Sequence, residues 1–461
     1  MTTTNKIEGV SEQGMAAAKE LRAIMQGKVV LPGDAEYEGA RRVWNGVVNR
    51  EPALIALCET VQDIRAAVRE ARAQGLPLSV RGGGHDWAGR ALRHNGLVID
   101  LTRMRQVQVD TLEQTAVVAG GATATDLMNA AAPHGLAAVT GNVGAVGMAG
   151  FLLAGGYGPL TTRFGLALDN LLGADVVLAD GQLVTADATQ NTDLFWALRG
   201  GGGNFGVVTS MRLRLHPVNE ILAGIILFPW SEAESVLRGH AEIMASAPDE
   251  LSVLVVLAPG QDGSPLVFLG PIWTGDPEKG REFMARLEGL GTPLLSQVGP
   301  MSYADLLRLY DAQAAEGRHY ALKTRWLAEL TPEIISEVVA AGTRRTSPFS
   351  MIALHHFHGP GTQIPVGATA FGLRQEHFLM EIIAAWDPNE KSESDAHRKW
   401  ASDLFSVLAP HALPGGYPNF LTADDHEQIG AAYGKNAPRL RDIKWHYDPN
   451  NLFSSATPIP F

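Results

Sequence analysis

The sequence predicts a fold that mixes helices and strands in two domains, and three observations carry that prediction. The chain has 461 residues, which at about 150 residues per domain is room for two or three. Short apolar strands alternate with amphipathic helices through its first half. Near His216-Pro217 the crowding of glycine ends, and longer strands and helices take over. Hydrophobic residues make up 46% and charged residues 19% of the chain, so apolar side chains alone can build the core and a disordered chain is excluded.

Charge and cysteine content narrow the function. Lys and Arg number 37 against 49 Asp and Glu, a net charge of −12. That is the wrong sign for nucleic acid or an anionic membrane surface. A single cysteine, Cys58, leaves no intrachain disulfide framework and no cysteine-rich metal site. Residues 1–27 are polar and helix-like, with no apolar run leading to a small-residue cleavage site, so a cytoplasmic address is the expectation. Residues 135–162 carry no charge and are long enough to span a bilayer. Eight of them are glycine, and at roughly 1 kcal/mol each relative to alanine they oppose one continuous helix.

The elements follow in order. Thr60 caps a helix over 61–74 whose Ile64, Ala67, Val68 and Ala71 share a face, and Gly75 ends it. Strands are predicted at 76–80 and 97–101, with Arg81-Gly-Gly-Gly-His85 between them. A dinucleotide fingerprint would place its glycines at the start of a helix, and no Gly-Lys-Ser/Thr loop is present. Next come a strand at 116–119, a helix over 125–132 and the uncharged glycine segment, where Gly141, Gly144, Gly147 and Gly150 recur every third residue. Asp180-Gly181 turns a tight hairpin within 174–185. A helix at 193–198 ends in Gly200–Gly203, and a strand over 206–215 points Arg212 and Arg214 the same way. Strands at 251–257 and 266–269 and a helix over 435–446 are predicted beyond the boundary. The polar run 389–399 reads as a solvated helix cap or link.

Glycine accounts for 50 residues, and its excess falls in four clusters between Arg81 and Gly206. Such clusters mean that the backbone approaches something closely or adopts dihedrals other residues avoid. A large flat ligand requires both.

Five motifs then point to a family. They are Arg81-Gly-Gly-Gly-His-Asp-Trp-Ala-Gly89; Gly147-Met-Ala-Gly150 with Ala154-Gly-Gly-Tyr-Gly158; Phe164-Gly165 with Asp169-Asn170; Asp193-Leu-Phe-Trp-Ala-Leu-Arg199 with Gly202-Gly-Asn-Phe-Gly-Val207; and Tyr447-Asp-Pro-Asn-Asn-Leu-Phe453. In this order, from about Leu31 to the end, they resemble the flavin-linked oxidases of the vanillyl-alcohol oxidase superfamily, specifically the berberine-bridge-enzyme-like branch and the bacterial 6-hydroxy-D-nicotine oxidases.

The resemblance implies an α+β fold. A two-subdomain, PCMH-type FAD-binding domain would occupy 30–217, an inserted substrate domain of antiparallel sheet backed by helices 218–410, and a segment completing the FAD-binding domain 411–461. Gly82, Gly83 and Gly84 would hold the FAD pyrophosphate on backbone amides, and His85 would bond to the flavin 8α-methyl. Where many relatives carry a second, cysteinyl link this chain has Val143, so one covalent attachment is expected. Val146 falls at a position beside the flavin that is small in oxygen-using members; it reads equally as core packing. The other implied FAD contacts are Arg81, Gly89, Gly141, Gly144, Gly147, Gly150, Gly155, Gly156, Gly158, Asn204, Gly206, Val207, Tyr433 and Asn451.

For catalysis, Tyr417 in Gly416-Tyr-Pro-Asn-Phe420 stands where relatives keep a tyrosine base; it reads equally as an aromatic lining residue. On the strand through Met351–His358, alternation puts His356 and His358 on one face with Leu354. They read as substrate or proton ligands, or as sheet histidines. Metal ligation lacks a third partner, and no metal is expected. Tyr320, Lys323 and Arg374 are further lining candidates, the last two equally ion-paired. The implied activity is oxidation of an alcohol-type small-molecule donor, with an amine or a phenolic donor also open, and with O2 reoxidising the flavin to give H2O2. The alternatives are a dehydrogenase on the same scaffold or a flavin-binding protein without turnover.

Overall fold

In a computed structural model describing residues 11–460 apart from 219, 261, 312–313 and 391–392, the strands form three main sheets. The first has four strands in the order Lys28–Val30, Leu54–Leu57, Leu97–Asp100, Leu78–Arg81. Its last three are mutually parallel, and the helix Val61–Gln74 makes the crossover between Leu54–Leu57 and Leu78–Arg81. The predicted caps are present: the Thr60 hydroxyl and the Asp63 carboxylate form a reciprocal capping box, and Gly75 closes the helix in the left-handed conformation at φ +64°. Gly75 is the residue type that bears this φ without a Cβ penalty.

The second sheet is antiparallel, in the order Val107–Asp110, Thr115–Ala119, Val207–Arg214, Leu171–Val177, Leu183–Asp187. Its last two strands are the hairpin expected at Asp180-Gly181, closed by Gly181 at φ +78°. Arg212 and Arg214 both point to solvent.

The third sheet has seven antiparallel strands, ordered Leu295–Met301, Ile221–Pro229, Pro265–Trp273, Leu251–Pro259, Met351–Phe357, His377–Trp386, His319–Leu327. One face buries Val253, Val255, Ile352, Leu354, Met380 and Ile382 beneath the helices Ala233–Met244, Pro277–Glu288, Pro332–Thr343 and Ser394–Val407. The opposite face looks toward the glycine-rich half. The α+β architecture implied by the resemblance is the one observed.

The last stretch of chain returns to the glycine-rich half. Leu440 and Ile443, on the helix Ala437–Tyr447, share its core with Trp196 and Phe205. Lys444, buried, donates to the carbonyls of Asn204 (2.7 Å) and Phe453 (2.9 Å) and pairs with Asp448 at 2.6 Å. A buried ammonium is tolerated only with such a full set of partners. No helix among the described residues is long and apolar enough to cross a membrane.

Candidate active site

Between the glycine-rich half and the open face of the seven-stranded sheet lies a cavity of about 550 Å³. One wall consists of the turn after Leu78–Arg81, the segment 141–151 and the turn at 202–203. Among the described residues the amides of Gly82, Gly83 and Gly84 donate to nothing in the protein, and a half-buried N–H without an acceptor calls for a ligand or solvent. Gly83 and Gly147 face each other so closely that a Cβ on Gly83 would sit 2.5 Å from the Gly147 nitrogen. By contrast, a Cβ on Gly150 or Gly203 would meet no protein atom within 3.4 Å and would occupy the cavity instead.

His85 stands at the end of this wall. Its ring is stacked on Trp44 with centroids 4.1 Å apart, and Trp44 stacks in turn on Tyr320 at 4.3 Å. Its Nε2 is buried without a hydrogen-bond partner. Burial pushes its pKa down to about 4, so at neutral pH the ring is uncharged and keeps a free lone pair.

The opposite wall is the sheet. Ala353 and Glu381 are directly paired across neighbouring strands, and the Glu381 carboxylate lies 2.9 Å from His355 Nε2. Tyr417 closes the site from the C-terminal segment. It is buried, and its phenol oxygen accepts from the Gly156 amide and from Asn419 Nδ2, both at 2.9 Å. Those two donors favour the phenolate, but burial outweighs them and pushes the pKa up to about 12. Tyr157 packs edge-on against Tyr417 at 4.9 Å and bonds His377 Nε2 at 2.8 Å.

Of the residues singled out in the sequence, Gly82, Gly83, Gly84, His85, Gly141, Val143, Val146, Gly147, Gly150, Gly206, Val207, Tyr417 and Tyr433 line this one cavity, as does Tyr320. His356 and His358 do not. They do share a face with Leu354, but it is the helix-covered one, because Met351, Ala353 and His355 take the cavity side. His356 stacks on Phe378 at 4.3 Å, and burial with neighbouring histidines pushes its pKa down to about 2 even with Glu376 at 3.0 Å. His358 Nε2 is bonded to the Leu251 carbonyl. Periodicity reveals which residues share a face, not what covers it.

Other expected contacts are structural. Arg81 bonds the Ala40 carbonyl and lies 3.5 Å from Asp100, packing behind Gly84. Gly89 is a turn against Val48. The Gly144 amide is held by Asp311 at 2.6 Å. A Cβ on Gly155 would sit 2.7 Å from the Tyr417 ring, so Gly155 admits Tyr417, whereas one on Gly156 would meet Ala167 and Phe151 and one on Gly158 would strike the Thr140 carbonyl. Asn204 bonds Gly201 and Thr457. Asn451, at φ +51°, sits in the turn whose amides cap onto Asp448. Lys323 pairs with Asp425 at 2.5 Å and Arg374 with Asp169 at 2.8 Å, so both are ion-paired away from the cavity. Cys58 is fully buried.

Sequence reasoning missed His355, Glu381, Trp44 and Tyr310, all of which line the cavity. Glu381 was legible as the lone acid in Phe378-Leu-Met-Glu-Ile-Ile-Ala-Ala-Trp386, since a carboxylate in such an apolar strand needs a reason.

Comparison with known proteins bears on this site directly. Residues 52–187 match the family described as FAD binding domain, and residues 416–460 match the one described as berberine and berberine like. The FAD-linked oxidoreductase pgmH of Aspergillus terreus is 32% identical over 96% of this chain and 95% of its own. The chain belongs to the berberine-bridge-enzyme-like FAD-linked oxidoreductases. Among solved structures of that group, 6-hydroxy-D-nicotine oxidase from Arthrobacter nicotinovorans superposes with a TM-score of 0.87 at 29% identity, covering 95% of this chain and 98% of that one. Xylooligosaccharide oxidase from Myceliophthora thermophila follows at 0.83 and 27%, covering 96% and 99%. The wall with free amides, the glycines open to the cavity and the unpartnered His85 nitrogen suit FAD, a long anionic cofactor with a flat ring system.

Proposed function

We propose that this oxidoreductase is an oxidase that takes a hydride equivalent from a neutral, hydroxyl-bearing small molecule, with FAD attached through His85 alone. The observation that carries the reading is the shared cavity: free amides and an unpartnered imidazole on one wall, and a carboxylate–imidazole pair with a buried phenol on the other. FAD, when bound, would supply the hydride acceptor and the route for the electrons to O2, giving H2O2.

The remaining work falls to the chain. The amides of Gly82–Gly84 offset the charge of the diphosphate. His85 is neutral and its ring nitrogen would replace one hydrogen of the flavin 8α-methyl, the proton being released and the two electrons going on to O2, while Val143 cannot form a thioether. Loss of hydride from an alcohol carbon requires its hydroxyl proton to reach a base within hydrogen-bond distance. Tyr417, raised to about 12, resists ionisation at neutral pH, so it orients the hydroxyl while Glu381, steadied by His355, takes the proton. Val146, a small side chain on the cavity wall, leaves room for O2.

The test is covalent retention. Acid-precipitated protein keeps its yellow fluorescence, and His85→Ala releases it to the supernatant; pigment retained by the variant would overturn the attachment. Turnover in air that yields peroxide supports the oxidase, whereas turnover with an artificial acceptor only would make it a dehydrogenase.

A further inference from the structure

The proposed activity leaves the donor unnamed, and the sheet wall of the cavity describes it. The side chains this wall presents include Ile225, Leu254, Val256, Phe268, Ala353 and Ile383. None of these can hydrogen-bond, and the Tyr320 hydroxyl at its edge is already committed to the Ala315 carbonyl at 2.8 Å. A sugar would surrender the hydration of many hydroxyls against such a surface, and each one left unpaired would weaken its binding.

Two polar points interrupt it. One is the His355–Glu381 pair already described. The other is Tyr310, on the helix Tyr303–Asp311. Tyr310 lines the cavity, and its hydroxyl is buried with no hydrogen-bond partner among the described residues. It stands over Gly270, whose added Cβ would lie 2.5 Å from it, so it belongs to the sheet wall and not to the glycine turns opposite.

The sheet register spaces the two points. Gly270 pairs with Leu254 on the neighbouring strand, Val256 of that strand pairs with Ala353, and Ala353 pairs with Glu381. Three strand-to-strand steps and a two-residue shift along one strand separate Gly270 from Glu381, roughly 16 Å at the backbone. A buried hydroxyl left unpaired is costly unless a ligand satisfies it.

We infer that the donor is an elongated, largely apolar molecule bearing the oxidisable hydroxyl at one end, at Glu381, and a second oxygen at the other, bound by the Tyr310 hydroxyl. This rests on the proposed oxidase reading and adds a substrate class and a specificity-determining residue to it.

The test uses the FAD-loaded enzyme with four probes: 4'-hydroxy-4-biphenylmethanol, 4-biphenylmethanol, xylobiose and 6-hydroxy-D-nicotine. Binding is followed by perturbation of the flavin spectrum under anaerobic conditions, and bleaching is scored separately. The hydroxylated biphenyl is expected to bind roughly fivefold to tenfold tighter than its unhydroxylated partner, the effect of one hydrogen bond. Tyr310→Phe is expected to abolish that difference while leaving 4-biphenylmethanol affinity unchanged. Xylobiose or the hydroxynicotine binding as tightly as the biphenyls, neither biphenyl binding, or the preference surviving Tyr310→Phe would overturn the inference. Biphenyls that bind with the Tyr310 dependence but never bleach the flavin would overturn the donor assignment, whereas bleaching by the hydroxylated biphenyl without peroxide in air would uphold it and overturn the oxidase reading; bleaching by xylobiose alone, with peroxide formed in air, would do the reverse.

Discussion

Tyr417 and Glu381 differ in what their surroundings permit. The phenol oxygen receives two hydrogen bonds, yet burial keeps it protonated with a pKa near 12. The carboxylate is paired with His355 at 2.9 Å on the cavity side of the sheet. Glu381→Gln is therefore expected to lower the rate of flavin reduction by roughly 10²–10³-fold, the range for loss of a general base. Tyr417→Phe removes only an orienting contact and is expected to cost about tenfold. Anaerobic stopped-flow reduction of both variants measures the comparison, and the reverse order would assign the proton to Tyr417. Tyr417 could be picked out of the sequence because it stands in a recognisable motif. Glu381 and His355 stand in none, and their roles depend on which face of a sheet is left uncovered.

The glycine segments show why an element's composition need not mean what it first implies. Gly83 and Gly147 were expected to approach a cofactor, and they line its cavity, but each also excludes a side chain because the other's backbone is there. Gly155 makes room for the Tyr417 ring, and the Gly156 amide donates to its phenol oxygen. Gly83→Ala would force the two turns apart, and a loss of about 1–3 kcal/mol is expected for such overpacking. Thermal unfolding of the apoprotein measures that loss, and FAD titration is expected to show weakened binding in parallel. Gly203→Ala, whose Cβ meets little protein, is expected to leave apoprotein stability nearly unchanged and to weaken FAD binding only. The element boundaries themselves were readable, as the Thr60 cap and the Gly181 turn illustrate, since capping and turn chemistry are local.

Taken together, the fold buries several histidines in neutral form. His240 is fully buried with neither nitrogen partnered, and burial lowers its pKa to about 4. His377 is also held near 4; its Nδ1 faces the Gln375 carbonyl and so carries the proton, leaving Nε2 to accept from Tyr157. In the unfolded chain each titrates near the ordinary histidine value of about 6.5. Below that pH the unfolded state binds protons the folded state refuses, so stability falls as pH drops from about 6.5 toward 4, by about 1.4 kcal/mol per unit for each site. Urea midpoints at pH 7.5 and 5 check the sign, and His240→Phe is expected to flatten the dependence; a midpoint unchanged between the two pH values would refute it.

Local chemistry is written in the chain itself: caps, turns, the alternation of strands and the order of five glycine-bearing motifs identify the family and most of the cofactor wall, because each depends on residues near one another in sequence. Which side of the seven-stranded sheet stays open depends on four helices packed against it from distant parts of the chain. That packing turned His356 and His358 inward beneath the helices, brought His355, Glu381 and Tyr310 into the cavity, and could be decided only by the assembled core.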